Sequence, residues 1–547
     1  MALAQSATAS HIMAQRGRAD AAREVLQLWR RDALTDVFVR EGMCAHEAEY
    51  AKMKTMNYAN EVYDKPLLLK GLLGLLLLGF AMKITGGAGF LLIFPLVMLG
   101  FGKNKTQLLF WCILATATLT MGNSTLFPKG SSFAVANRAV YALVGGVMFF
   151  QMVGMRTSRM LSPLLALFPY LVYMAIVSSV GWLPIISYLK LTLFTIVFTA
   201  FYSTCSAAQW SLQGVSMLRS IFLCFACFII LGSVALIPFP GLSLMRVEDF
   251  FQQYGYYPEG ALFCGITWHS QALGPLVAIC SVILLADLLF SVRRWDKLYI
   301  VLLLLAPLLI YKTGARTAMG TYLAGNSFVA LVFMCARGVG ARWKNSVLGI
   351  LFMVGLLGGC AFLATPSLRQ GALNFIYKTR GVDVQEEQMT FEKAVSSRQG
   401  LWDISMANFR ESPWIGNGFQ VSIFQKDMQI RSWKQLISAP IEKGVWVSAV
   451  LEEGGIFGMI LFCFFWLFAF CALLSRHAFI GATGLFVLFV SNFGEFTIFS
   501  MSGAGGILWA FIFMGLAMDA LRIKQEQWQR QMGMPDVNPP LSVTNRG

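Results

Sequence analysis

The chain has 547 residues, 57% of them hydrophobic and only 13% charged, whereas a soluble domain carries about 25% charged residues. This composition excludes a soluble globular protein and predicts an all-α polytopic membrane protein, a bundle of about 12–14 transmembrane helices with one large, partly helical extracytoplasmic loop. The net charge of +15 does not call for nucleic acid, because the basic residues are spread over many short loops and not gathered on one face.

Residues 1–65 come first and differ in kind, with nine Lys/Arg, nine Asp/Glu and an amphipathic stretch around Val25, Leu28 and Trp29. They lack a signal peptide's basic start, apolar core and small-residue cleavage site, so a cytoplasmic extension is expected. Apolar runs then predict spans near 66–82, 86–101, 107–122, 139–155, 161–180, 183–205, 219–238, 262–290, 297–313, 317–336 and 344–364, and later 446–472, 476–492 and 503–522. The domain reading is therefore an extension (1–65), a transmembrane bundle of about 11 spans (66–364), a large loop (365–445), C-terminal spans (446–522) and a cytoplasmic tail (523–547). The CxxC pair Cys224 and Cys227 lies inside an apolar run without a His or second Cys pair, so packing is favoured over metal or disulfide.

Charge orients the bundle. With the N-terminus inside, alternate loops hold Lys103 and Lys105, Arg156 and Arg159, Gln209 to Arg219, Arg293 to Lys297, Arg337 to Lys344, and Arg476-His477, and the tail begins at Arg522 and Lys524. This is a positive-inside ladder. It puts Asn123 to Arg138, Phe239 to Gly260, the Thr313–Arg316 turn and the large loop outside, and both termini in the cytoplasm.

The polar segment Thr365 to Val445, about 80 residues between apolar runs, is where function is expected. From Arg398 it reads as an amphipathic helix with Leu401, Ile404 and Phe409 on one face, followed by the turn Glu-Ser-Pro413-Trp-Ile-Gly416-Asn-Gly418.

Arg398-Gln-Gly-Leu-Trp402, followed by Pro413, Gly416 and Gly418, resembles the signature of the O-antigen ligase and O-antigen polymerase superfamily. In the same order, Gly265 to Gly274 with His269 and Gln271, Thr313-Gly-Ala-Arg316, and Val450 to Gly458 with Glu453 are similar to three further pieces of that family. The resemblance covers roughly 262–460. It implies a bacterial inner-membrane glycosyltransferase working on the outer face. Its donor would be an undecaprenyl diphosphate-linked glycan, and its acceptor a sugar hydroxyl on a glycan or glycolipid, with membrane lipids and other polysaccharide-assembly proteins as partners. No cofactor or metal is implied.

Breaking a sugar–phosphate bond leaves a diphosphate whose growing charge fixed guanidinium groups can hold bidentately. Arg316 and Arg398 are the candidates for this, with Lys443 as a further diphosphate ligand and His269, Gln271, Trp402 and Glu453 as substrate contacts. The ligase branch commonly carries a His before the span after the loop. Here that stretch is Ala439 to Trp446 with no His, so Glu442 is the candidate base. Blander roles stay open: an interfacial anchor for Glu442 and Lys443, an interhelical hydrogen bond for His269 and Gln271, a helix brace for Glu453, and an aromatic belt for Trp402, Trp414 and Trp446. Two other classes also stay open, a polysaccharide or lipid-linked glycan transporter and a non-catalytic assembly scaffold. The transporter would favour ionisable residues at mid-span, and the charges read as lying at span ends and in the loop.

Overall fold

The structure is a computed structural model and describes residues 63–102, 105–129, 133–152, 160–209, 212–246, 261–293, 295–336, 343–350, 353, 365, 402–421, 445–494, 497–500 and 503–531. The chain divides into two compact units, Met1–Asp64 and Lys65–Gly547, of which the second carries the fold.

That fold is an all-α bundle. Its labelled helices are α1 (Lys65–Ile84), α2 (Ile93–Gly102), α3 (Thr106–Thr120), α4 (Phe133–Met152), α5 (Phe168–Val180), α6 (Pro184–Ala208), α7 (Leu212–Ala235), α8 (Ser270–Asp287), α9 (Lys297–Thr313), α10 (Arg316–Cys335), α11 (Trp446–Ser475), α12 (Phe479–Ser491) and α13 (Ala504–Gln531). Among the described residues, eight helical segments are long and apolar enough to cross a membrane, and three shorter ones are also apolar. Two spans open with a 3₁₀ turn, Ala88–Leu92 before α2 and Ser162–Leu167 before α5, and α8 runs on as a π-turn over Leu288–Val292. The predicted span at 262–290 therefore starts late. Its first residues form strand β2 (Ala261–Phe263), antiparallel to β1 (Leu244–Arg246) with Leu244 opposite Phe263.

Successive connections gather at two opposite ends, as short links between antiparallel neighbours require. At one end Asn123 N donates to Ile266 O (2.8 Å), Trp268 N to Met121 O (2.8 Å), Trp182 N to Asn417 O (3.1 Å) and Trp446 N to Asn492 O (3.0 Å). This is the loop end. At the other, Arg476 Nη1 donates to Ser162 Oγ (2.9 Å) and Trp343 Nε1 to Leu289 O (3.2 Å). The centre is built from α8 and α13, which are almost wholly buried, and from aromatic packing of α6 on α13, with Phe198 against Trp509 (5.2 Å) and Phe513 (5.1 Å). In lipid, such close side-chain packing holds helices together where the hydrophobic effect cannot.

Charge placement departs from the sequence reading. Arg219, expected in a loop, lies in the second turn of α7, buried and paired with Asp287 of α8. Lys190 in α6, Asp287, Glu452 and Glu453 in α11, and Asp519 in α13 are also buried, so charges near the span ends lie inside the packed bundle. An apolar run tolerates one ionisable group when a partner on another helix receives it, and that partner is invisible along the chain.

Candidate functional site

The loop end is organised by a break in α11. Helix 446–475 is interrupted at Gly455 (φ 63°, ψ −163°), which removes the rungs that would run from Ile456 N to Glu452 O and from Phe457 N to Glu453 O. The loop turn supplies all four groups with partners: Ile456 N donates to Pro413 O (2.9 Å), Phe457 N to Trp414 O (3.2 Å), Asn417 N to Glu452 O (3.0 Å) and Gly418 N to Glu453 O (3.0 Å). The turn is thus spliced into the helix's hydrogen-bond ladder, which is how broken backbone is tolerated at membrane depth. Two glycines make the approach possible. A Cβ on Gly416 (φ 79°) would sit 2.3 Å from Glu453 O, and one on Gly455 would sit 2.4 Å from Trp414 C.

Further bonds hold the turn down. Tyr173 Oη of α5 donates within reach of Gly454 O (2.9 Å) and Ile415 O (3.2 Å), Ser187 Oγ of α6 donates to Phe419 O (3.1 Å) and Lys190 Nζ to Gln420 O (2.8 Å). Phe419 is fully buried between Phe194 (6.1 Å) and Phe499 (5.1 Å).

The loop helix spans 402–411. On the face expected to turn inward, Ile404 and Phe409 are half-buried, and Ser405 and Asn408 between them are buried. The inward face is polar because it meets a carboxylate: Asn408 Nδ2 donates to Glu452 Oε1 (2.7 Å), while Asn417 Nδ2 donates to Asn408 O (2.9 Å). Leu401 lies outside the described residues.

Of the predicted site residues, His269 is the N-cap of α8: its Nδ1 accepts from Gln271 N (3.0 Å), which leaves Nε2 to carry the proton of the neutral ring. Gln271 is half-buried in the first turn beside it. Arg316 is the first residue of α10, half-buried, after a turn closed by left-handed Gly314. α8 and α10 meet near their N-termini, where a Cβ on Gly274 would lie 2.8 Å from that of Ala315, so His269, Gln271 and Arg316 share one corner. The 492–494 turn closes that corner, with Gly494 against Thr317 and Asn492 O holding Trp446 N. Glu453 is fully buried, two residues before the α11 break at Gly455. Trp402 is exposed on the loop helix, and Trp446 is buried against Phe462 and Phe489. Arg398, Glu442 and Lys443 lie outside the described residues.

Asn123 ties this end together from another side, donating through Nδ2 to Leu242 O (2.6 Å) and accepting Thr125 N (2.9 Å). Nearby, the Lys129 ammonium donates to Thr120 O, and desolvation lowers its pKa to about 8. Among the described residues no three His, Cys, Asp or Glu are placed to hold a metal ion.

Sequence reasoning missed Tyr173, Asn408, Lys190 and Glu452. Lys190 had a signal, a single cation within an apolar run, and Glu452 stands in an acidic pair before two glycines; Tyr173 and Asn408 had none. No protein-family model matches this chain, and no curated protein matches it in sequence.

Proposed function

We propose that this protein is a membrane glycosyltransferase that moves a glycan from an undecaprenyl diphosphate-linked donor to a sugar hydroxyl, with the reaction at the loop end on the outer face of the bacterial inner membrane. The observation that carries the reading is Arg316. Arg316 is the first residue of α10, so a diphosphate placed there meets backbone N–H groups, the positive end of the helix dipole and a guanidinium together. Proton donors at His269 Nε2 and Gln271 sit at the neighbouring helix start, suited to sugar hydroxyls or phosphate oxygens.

In the proposed reaction, the acceptor hydroxyl attacks the anomeric carbon, the bond to the diphosphate oxygen breaks, and Arg316 and Arg398 hold the departing diphosphate. Glu442 takes the hydroxyl proton and Lys443 adds a phosphate contact. The resemblance of Arg398 to Gly418 to the ligase and polymerase family supports this assignment.

Glycolipid profiling of a deletion strain tests the function. Accumulation of lipid-linked single repeat units marks a polymerase and accumulation of lipid-linked full-length polymer marks a ligase; an unchanged glycolipid profile overturns the proposal.

A further inference from the structure

The tip of the loop turn, Trp414 and Ile415, faces outward, with Trp414 60% exposed. Its surroundings are apolar on both sides. Trp414 lies against Phe457 (5.9 Å), the first of an exposed stripe on α11 that continues through Ile460, Phe464 and Leu467. On the other side, α5 exposes Val172, Ile176 and Val180.

Depth follows from Tyr173. Its hydroxyl is held by the carbonyls of Ile415 and Gly454, and Val180 lies seven residues farther toward the loop end, roughly 10 Å at 1.5 Å per residue. Ile176 and Val180 on α5 and Ile185 at the start of α6 are still apolar and exposed beyond the tip, so the apolar band of the bundle extends past it. The turn's carbonyls fit the same environment: those of Pro413, Trp414 and Ile415 each accept a hydrogen bond from α11 or Tyr173, and proline has no N–H to satisfy.

We infer that the turn re-enters the bilayer and that Trp414 and Ile415 contact phospholipid acyl chains, continuing the lipid-facing surface of α5 and α11. The large loop is then not suspended above the membrane: one point of it is fixed in depth within the leaflet. Burying two such side chains among acyl chains suits their largely apolar surfaces.

The test uses the full-length chain in vesicles of phosphatidylethanolamine and phosphatidylglycerol, with p-benzoylphenylalanine replacing, one at a time, Trp414, Ile415, Phe464 or Arg410. Arg410 is exposed on the loop helix and Phe464 on the α11 stripe. On irradiation, phospholipid adducts at 414 and 415 at levels near those at 464 and at least fivefold above 410 are expected. Adduct levels at both 414 and 415 matching those at 410, or cross-links there to a second copy of the chain in place of lipid, overturn the inference. The readout is independent of glycan transfer, so its failure leaves the proposed function standing.

Discussion

The two ends of the bundle are held by different chemistry. At the end away from the loop, Arg219 Nε and Nη2 grip both carboxylate oxygens of Asp287 (3.0 Å each), which also accepts from Tyr299 Oη (2.6 Å). A second cluster there joins Arg293, Glu526, Arg522 and Asp519, with Asp519 capping α12 by accepting Gly481 N (2.8 Å). Arg219–Asp287, Arg293–Glu526, Arg522–Asp519 and Arg522–Glu526 are the ion pairs of these two clusters. The loop turn is held mainly through its backbone groups, by α11, Tyr173, Ser187 and Lys190, with Asn408 on the Glu452 carboxylate beside them. The charges at the far end neutralise one another in a rigid closure, whereas Arg316 opens α10 at the loop end. Under the proposed function the chemistry belongs to the loop end.

The largest break in this comparison is expected from Arg219→Ala, which leaves Asp287 buried without its bidentate partner and costs about 3–5 kcal/mol. Thermal unfolding in detergent checks it, and the double variant Arg219→Met with Asp287→Leu should recover much of the loss. Next comes Gly416→Ala, which combines strained positive φ with a clash against the Glu453 carbonyl, for roughly 2–4 kcal/mol against the latch. Limited proteolysis of sealed vesicles should then cut the loop faster than in the wild type while the bundle resists. Asn408→Ala removes a donor from the buried Glu452 carboxylate and is expected to cost roughly 1–3 kcal/mol. The smallest effect is Tyr173→Phe, about 1 kcal/mol, read as a modest rise in loop proteolysis. If the ion-pair variant opened the loop and the glycine variant lowered global stability instead, the two ends would not be separable.

Much of the helical bundle was legible because a span writes itself locally, as some twenty apolar residues. The turn at Pro413 to Gly418 was legible for a related reason, since glycines and proline mark backbone that helices cannot use. What escaped was long-range. Arg219 read as a loop cation because nothing near it in sequence reveals Asp287, 68 residues away. The loop helix read as apolar on one face because its partner, Glu452, lies 44 residues on and asks for an amide. The break in α11 was hidden for the same reason: a Gly-Gly pair within an apolar run continues as helix unless another segment arrives to take the freed groups.

The most direct test of the central claim is glycan transfer by purified protein reconstituted with an undecaprenyl diphosphate-linked donor, comparing Arg316→Ala with Arg293→Ala. Arg293 belongs to the ion-pair end, Arg316 to the loop end. The account predicts that Arg316→Ala loses at least a hundredfold in turnover with an unchanged Tm, while Arg293→Ala keeps turnover with a lowered Tm. Full turnover by Arg316→Ala would contradict it.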